Sequence, residues 1–258
     1  MHIVVIQKWH NGTGDPVSAL AEALGLTAFE AQQRLIGGEP AVVASFADPH
    51  QAGALVVKLN NSGMSALAMD VTELRSGAGR FIVRRFEFGE RSLGIESLER
   101  QSAEIPYREI DLLLPGTSIA RNSETVTVSE RKLSLGKTLM AGGIPMTKKI
   151  ERQEEIETEE CERVIYLYAG KRPQVIFRQN VLTYEGFGAA MKMSRDLNFA
   201  FLMGELRRVS PDAAYNDRLL SRGGPARLLG PAQRMERSLD LAAEVLAQCL
   251  LRVRIETE

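Results

Sequence analysis

Short β-type runs between Phe81 and Leu114 constrain the fold of this chain more than any other feature of its sequence. FIVRRFEF, SLGIES and REIDLLLPG are each typical of a short strand, and turn signals separate them. A charged segment follows, and VIYLY, QVIFRQ and LTYEG resume the pattern beyond Arg163. We therefore predict one β domain that a polar insertion splits and a helix closes.

The composition argues against several classes of protein. The 258 residues suffice for two modest domains, and 32 basic against 33 acidic side chains give a net charge of -1, which does not favour a nucleic-acid binder. Two cysteines, Cys161 and Cys249, are too few for a disulfide framework or a cysteine-rich metal site. The first residues are typical of a strand rather than a signal peptide, and no apolar run reaches the roughly 20 residues that span a bilayer. We expect a cytoplasmic protein without a metal or a cofactor.

The first 75 residues predict a small α+β module with the element order β-α-α-β-α-β. Asp15 and Asp48 each precede a proline, a combination typical of helix starts because Asp accepts from free amides and Pro suits the first turn. Thr27 and Glu30 have the spacing of a capping box. These signals predict helices on one face of an antiparallel sheet.

This module resembles the C-terminal domain of the bacterial ribosomal stalk protein over residues 3–72. The likeness lies in a Leu-Gly-Leu opening, the Glu30-Ala31 step, Pro40 in the middle and a helix that leads to a glycine and a final strand. The adaptor that delivers N-end-rule substrates to a protease has a similar fold. The stalk family has a lysine where this chain has Gln32. The resemblance therefore implies a small protein-docking module rather than a translation-factor site.

A stretch of small, flexible residues at 75–79 marks the predicted boundary to a second domain at 80–210. FEFGERSLGIES followed by EIPYREIDLLLPG, with VIYLYAGKRPQVIFRQ as a later hairpin, resembles bacterial pleckstrin-homology-like domains. The resemblance implies a bent antiparallel sheet that one helix closes, here Ser194 to Val209. A generic β-sandwich explains the same pattern equally well.

An insertion at about 117–162 divides the predicted β domain. Strand-like alternation and a glycine-rich turn come first, and the acidic run ERQEEIETEECE follows. One interpretation is a solvated hairpin or a partly disordered insertion. The other is an arm that contacts a partner through apolar side chains, for which the candidates are Leu133, Leu135, Leu139, Met140 and Ile144.

Residues 211–258 predict a helical extension. Leu239, Ala242, Ala243 and Leu246 have the spacing of one helix face. The following LLRVRIETE alternates apolar and polar residues, which indicates either a terminal strand or a continuation of the helix.

Few residues are candidates for chemistry. Trp9 and His10 lie in the polar loop KWHNGTGDP after the first strand, where they form either a small partner-binding or catalytic pocket or an ordinary β-α connection. His2, His10 and His50 lack metal-ligand spacing, and neither cysteine has a histidine close by in the sequence. We predict no catalytic residue and no metal site.

Two basic pairs suggest a different function. Arg84 and Arg85 fall on a predicted strand, and Lys171 and Arg172 fall on a predicted hairpin loop. In eukaryotic pleckstrin-like domains, basic loops bind phosphoinositide headgroups, so the resemblance implies an anionic-lipid site as one alternative. Ordinary surface charge is the other.

The sequence therefore favours a non-catalytic scaffold or adaptor that binds other proteins or further copies of itself. One alternative is a peripheral membrane protein that binds lipid through the basic pairs. A second alternative is an enzyme with a site in the loop after the first strand.

Overall fold

Helices and strands both build the chain, and its α+β class is confirmed. A computed structural model describes residues 1–9, 15–76, 79–133, 147–232 and 238–255, without the side chains of 75–76, 120–133, 147–158, 231, 238 and 253–255. Residues 1–118 and 162–258 form one compact unit, and residues 119–161 form a second.

A three-stranded antiparallel sheet forms from the first third of the chain. Its strands are β1 (His2–Trp9), β2 (Ala41–Phe46) and β3 (Met64–Asp70), in the order β2-β1-β3. Its helices are α1 (Pro16–Leu24), α2 (Ala28–Leu35), α3 (Pro49–Asn61) and α4 (Val71–Ser76). The predicted order β-α-α-β-α-β is confirmed, and α4 follows it.

The predicted caps begin these helices. The Asp15 carboxylate accepts from the amides of the first turn of α1, and the Asp48 carboxylate accepts from the His50 amide. At α2, Thr27 and Glu30 satisfy each other's backbone amides in a capping box. These contacts lie within a few residues of one another, which is why the sequence predicts them well.

Both faces of β1 are buried, and they face different cores. Val4 and Ile6 pack with the apolar residues of α1, α2 and α3. Ile3 and Val5 lie in a core that C-terminal residues complete. The three predicted helices α1, α2 and α3 thus lie on one face of this sheet, as predicted, and α4 with later parts of the chain covers the second face.

The second sheet has seven strands in the order β10-β7-β8-β9-β4-β5-β6. The strands are β4 (Phe81–Phe88), β5 (Ser92–Ser97), β6 (Ser102–Pro106), β7 (Ile110–Leu133), β8 (Thr147–Ala169), β9 (Val175–Arg178) and β10 (Ala214–Tyr215). Strands β7 and β8 run from the larger unit into residues 119–161. The sheet is mixed, because β4 pairs with β9, and β7 with β10, in parallel. The prediction of a wholly antiparallel sheet is wrong.

The parallel pair arises where the chain returns after the insertion. Strand β9 is antiparallel to β8 and lies on the side of β4 that β5 does not occupy. The segment LTYEG (residues 182–186), predicted as a further strand, is not one. Its Thr183 amide donates to the Arg84 carbonyl, and the chain then enters a 3-10 helix at Glu185–Ala190.

Three more helices follow. Helix α5 (Arg195–Val209) begins at the predicted Ser194 cap, whose hydroxyl accepts from the Leu197 amide. The others are α6 (Gly224–Leu229) and α7 (Ser238–Ile255). The strand alternative for LLRVRI is wrong, because α7 continues through this segment. Cys249 continues the buried side of α7 three residues after Leu246, which is helical spacing.

One apolar core joins α7 to both sheets. The three-stranded sheet contributes Ile3, Val5, Val42 and Met69, the seven-stranded sheet contributes Leu112, Leu114, Val164, Tyr166 and Ile176, and α7 contributes Leu241, Ala242, Val245, Leu246 and Cys249. Whether residues 1–75 fold independently of 80–210 and 211–258 stays a prediction.

A half-buried arginine fixes the loop before β2. The Arg218 guanidinium donates to the backbone carbonyls of Gly37, Gly38, Glu39 and Pro40 at 2.5 to 3.2 Å. Since five guanidinium donors in a fixed plane suit several carbonyls at once, no other side chain replaces this contact.

We expect Arg218→Ala to lower the free energy of unfolding by about 2–3 kcal/mol, because it removes charge-assisted hydrogen bonds and leaves carbonyls unpaired. Urea unfolding followed by circular dichroism measures the change. Arg208→Ala is the matched control, since Arg208 pairs with Glu205 on the surface three residues away and should change little. Equal losses in both variants would contradict the role of Arg218.

Polar side chains of α7 meet the seven-stranded sheet inside this core. Asp240 accepts from the Tyr166 hydroxyl at 2.7 Å and from the Arg80 guanidinium at 3.0 Å. One turn further along α7, Glu244 accepts from the Tyr168 hydroxyl at 3.5 Å. Burial raises the pKa of the Glu244 carboxyl above its usual value.

Glu244→Gln should therefore stabilise the protein at neutral pH. Because the folded pKa lies above the unfolded one, ionisation of Glu244 lowers stability progressively as the pH rises above the unfolded pKa of about 4.5. The variant and the parent should be equally stable near pH 4, and the gap should widen towards pH 7 in unfolding midpoints. The exposed Glu22→Gln in α1 serves as the control and should show no such divergence.

Candidate functional site

An open cleft of about 550 Å³ lies on the seven-stranded sheet. Strands β4, β5 and β6 form its floor, and the segment that enters the 3-10 helix forms its wall. The lining residues are Arg85, Phe86, Glu87, Gly94, Ile95, Glu96, Ser102, Ala103, Thr183, Glu185, Gly186 and Gly188. We call it the acidic cleft, since three glutamates and one arginine line it.

Strand alternation places the charges on the floor. Phe86 and Ile95 are buried in the core, so the residues on either side of them face away from it. The strand register pairs Arg85 with Glu96 and Glu87 with Gly94. At Gly94 an added Cβ would come no closer than 3.7 Å to Glu87. The missing side chain therefore leaves a gap in the middle of the floor.

Backbone contacts hold the wall against β4. The Thr183 amide donates to the Arg84 carbonyl at 2.8 Å. A Cβ on Gly186 would lie 1.9 Å from the Phe86 carbonyl oxygen, so only glycine allows this approach. The wall is thus built on a position that admits no side chain.

The chain beyond the wall exposes large apolar side chains. Met191, Met193 and Leu197 are 56%, 104% and 57% exposed. We call these three residues the methionine ledge. Large apolar side chains this exposed and this close in sequence indicate an interaction surface rather than ordinary surface variation.

A buried asparagine holds the ledge in place. Asn198, 5% exposed, accepts from the Lys192 amide at 2.7 Å and donates to the Lys192 carbonyl at 3.0 Å. The Asn198 side chain therefore binds both the amide and the carbonyl of Lys192, the residue between the two methionines. The exposure of Met191 and Met193 follows from a fixed backbone.

Aromatic rings support the same segment from below. Phe187 lies 4.9 Å from Phe86 and 4.8 Å from Phe201, measured between ring centroids. The Lys192 ammonium lies 4.7 Å from the Phe201 ring centroid. These contacts anchor both ends of the segment between the wall and the ledge.

The loop after the first strand lies partly outside the described residues. Trp9, at the end of β1, is half-buried beside the core of the first helices, and its amide donates to the Glu39 carboxylate at 2.6 Å. His10 lies outside the described residues. A pocket formed by Trp9 and His10 stays a prediction.

The apolar candidates of the insertion also lie outside the described part. Leu133 ends β7, and its side chain is not described. Leu135, Leu139, Met140 and Ile144 lie outside the described residues. A partner-binding role for them stays a prediction.

The two basic pairs lie at different places along the sheet. Lys171 and Arg172 precede β9, and Arg172 pairs with Glu109 at 3.0 Å. Arg84 and Arg85 follow the last residues of β4 that pair with β9. The structure therefore does not bring all four side chains to one end of the strands.

The described residues offer little for catalysis or metal binding. Within them, no three His, Cys, Asp or Glu side chains are grouped to hold a metal ion. Burial raises the pKa of the Cys249 thiol to about 12, which disfavours a reactive thiolate there. Among the described helices, none is long and apolar enough to cross a bilayer.

The acidic cleft and the methionine ledge were not predicted from the sequence. Ser194 was predicted as a helix cap, but none of the apolar residues on either side of it was singled out. The available signal was Met-Lys-Met directly before that cap. These residues belong to no predicted helix or strand, so no buried face was predicted for the two methionines. The Gly186 contact was not visible, because it depends on a residue 100 positions earlier.

Comparison with protein-family models, with curated proteins and with solved structures finds no match to this chain.

Asn198→Ala should loosen the ledge, because it leaves the amide and the carbonyl of Lys192 without their partner. Hydrogen exchange at the Lys192 amide should accelerate, and unfolding should become easier by about 1–3 kcal/mol. Asn198→Asp keeps the acceptor and loses the donor, so it should retain part of the amide protection. Unchanged exchange in Asn198→Ala would show that other contacts hold the segment.

Proposed function

We propose that this chain is a cytoplasmic, non-catalytic adaptor that binds a partner protein through the methionine ledge. The observation that carries the proposal is the pairing of exposed apolar side chains with a backbone that a buried asparagine fixes. An apolar surface held rigid in water is costly to keep unless a partner covers it.

The size of the ledge suits a specific but reversible contact. Full burial of a Met or Leu side chain contributes about 1.5–3 kcal/mol. Three such side chains together contribute at most about 5–9 kcal/mol, which is of the same order as the cost of association, so surrounding contacts have to add to them. The fixed backbone lowers those costs, since little chain entropy is lost on binding. Methionine also adapts to the shape of its partner.

A second exposed surface supports an adaptor with two binding sides. Phe29 in α2 and Ile36 just after that helix are 68% and 63% exposed. They belong to the module that resembles the stalk-protein domain, for which the resemblance implies protein docking. Cys161 and Cys249 are not joined by a disulfide bond, in keeping with a reducing compartment.

The lipid-binding and enzymatic alternatives stay predictions. The basic residues of the lipid-binding alternative are spread along the sheet, and Arg172 already pairs with Glu109. The enzymatic alternative depends on a loop that contains His10, which lies outside the described residues. Neither has an observation comparable to the ledge.

A photoreactive benzoylphenylalanine at position 193, in the full chain in its native host, tests the proposal. We expect discrete cross-links to protein, because Met193 would lie in the interface. The same probe at Val57, a 59% exposed position in α3, is the control and should give none.

The cross-links should disappear when Met191→Ser and Leu197→Gln are added, because the remaining ledge loses its apolar surface. Folding of each variant is checked by its unfolding midpoint. Cross-links that are absent at position 193, or equal at positions 193 and 57, would contradict the proposal.

A further inference from the structure

We infer that the partner on the methionine ledge is a second copy of this chain, whose acidic cleft receives the ledge in a two-fold dimer. This inference rests on the proposed function and names the occupant of the same surface. The arguments are the charges of the two surfaces, their shapes and their positions along the chain.

The ledge is cationic around its apolar centre. Lys192 and Arg195 are exposed and lie on either side of Met193 in the sequence. The carboxylate of Asp196, the next residue, accepts from the Gln179 amide. The ledge therefore has an exposed cation on either side of Met193 in the sequence, of which Lys192 lies over the Phe201 ring and Arg195 donates to the Asn180 side chain.

The cleft has the complementary character. Glu87, Glu96 and Glu185 line it, with Arg85 as the cation among its described lining residues. The salt bridges found in the described part of the chain join other side chains, so Glu87 and Glu96 have charge available for a partner. The gap at Gly94 gives room on the floor for one apolar side chain.

Chain continuity favours a symmetric arrangement. Glu185, Gly186 and Gly188 line the cleft, and the ledge begins three residues later at Met191. The wall of the cleft and the start of the ledge are thus close to each other along the chain. In a two-fold dimer each copy places its ledge at the cleft of the other, so both contacts form at once. A net charge of -1 leaves little general repulsion between copies.

Side-chain insertion fits the cleft better than strand addition. The free side of β6 borders the cleft, and it presents Glu104 and ends at Pro106, which has no amide to donate. A charge and a proline protect such an edge from pairing with another strand. The second copy is therefore held by side chains.

A charge exchange between two variants tests the dimer. The first variant carries Lys192→Glu with Arg195→Glu, and the second carries Glu87→Lys with Glu96→Lys. Alone, each should dimerise about tenfold or more weakly than the parent, because like charges then face each other. Mixed in equal amounts they should recover dimers, because every ledge again meets a cleft of opposite sign. Sedimentation equilibrium over a range of concentrations measures the four dissociation constants, those of the parent, of each variant and of the mixture.

A substitution in the floor provides a test independent of charge. Gly94→Val should fill the gap that receives the apolar side chain and should weaken the dimer about tenfold. An added Cβ at this position meets only ordinary contacts at 3.7 Å or more, so we expect the variant to fold, and its unfolding midpoint checks this. Gly53→Ala in α3, where an added Cβ meets nothing within 4 Å, is the matched control and should leave the dimer unchanged.

Several results would overturn the inference. The parent chain could be monomeric at every concentration measured. The charge variants could dimerise as tightly as the parent, or their mixture, with both variants folded, could form no more dimer than each variant alone. Salt-sensitive binding of the parent to anionic lipid vesicles, lost with Lys192→Glu and Arg195→Glu, would replace the second copy with a membrane surface. If the chain is monomeric and position 193 cross-links to a different protein, the dimer is refuted and the proposed adaptor function is supported.

Discussion

Burial of α7 is the constraint on which the larger unit depends. Almost every residue from Leu239 to Cys249 is buried, so this helix is apolar around most of its surface rather than along one stripe. One side of the apolar core comes from the three-stranded sheet and another from the seven-stranded sheet. Neither sheet face would be excluded from water without this helix. Asp240 and Glu244 are tolerated inside the core because tyrosine hydroxyls and Arg80 compensate their charge.

The core also explains why the acidic cleft and the methionine ledge are surface features. The opposite face of the seven-stranded sheet is packed by α5, whose Phe199, Leu202 and Leu206 are fully buried. The segment before α5 has to cross from β9 to this helix. Gly186 of this segment passes against β4 at Phe86, and the Phe187 ring packs in the same core. Its remaining apolar side chains are left with no protein surface to cover, which makes them available to a partner.

Local chemistry made much of the fold predictable from the sequence. The helix starts at Asp15, Thr27, Asp48 and Ser194 depend on hydrogen bonds within a few residues, and all four are present. The strands from Phe81 to Leu114 were likewise visible as short apolar runs between turn signals. The mixed topology was not, since the pairing of Phe81 with Val175 is set by tertiary packing across a long insertion. The LLRVRI segment fits both the strand and the helix period, and the packing of Leu250 and Leu251 against the core, which the sequence does not show, accompanies the helix.

The two-faced burial of β1 has a consequence for synthesis on the ribosome. Val4 and Ile6 can be covered as soon as α1 to α3 have emerged, because those helices follow directly in the chain. Ile3 and Val5 wait for Leu241 and Val245, which are made much later. Until α7 has been made, the face of β1 that carries Ile3 and Val5 lacks the side chains that cover it in the folded chain. Completion of this core therefore has to follow synthesis of α7.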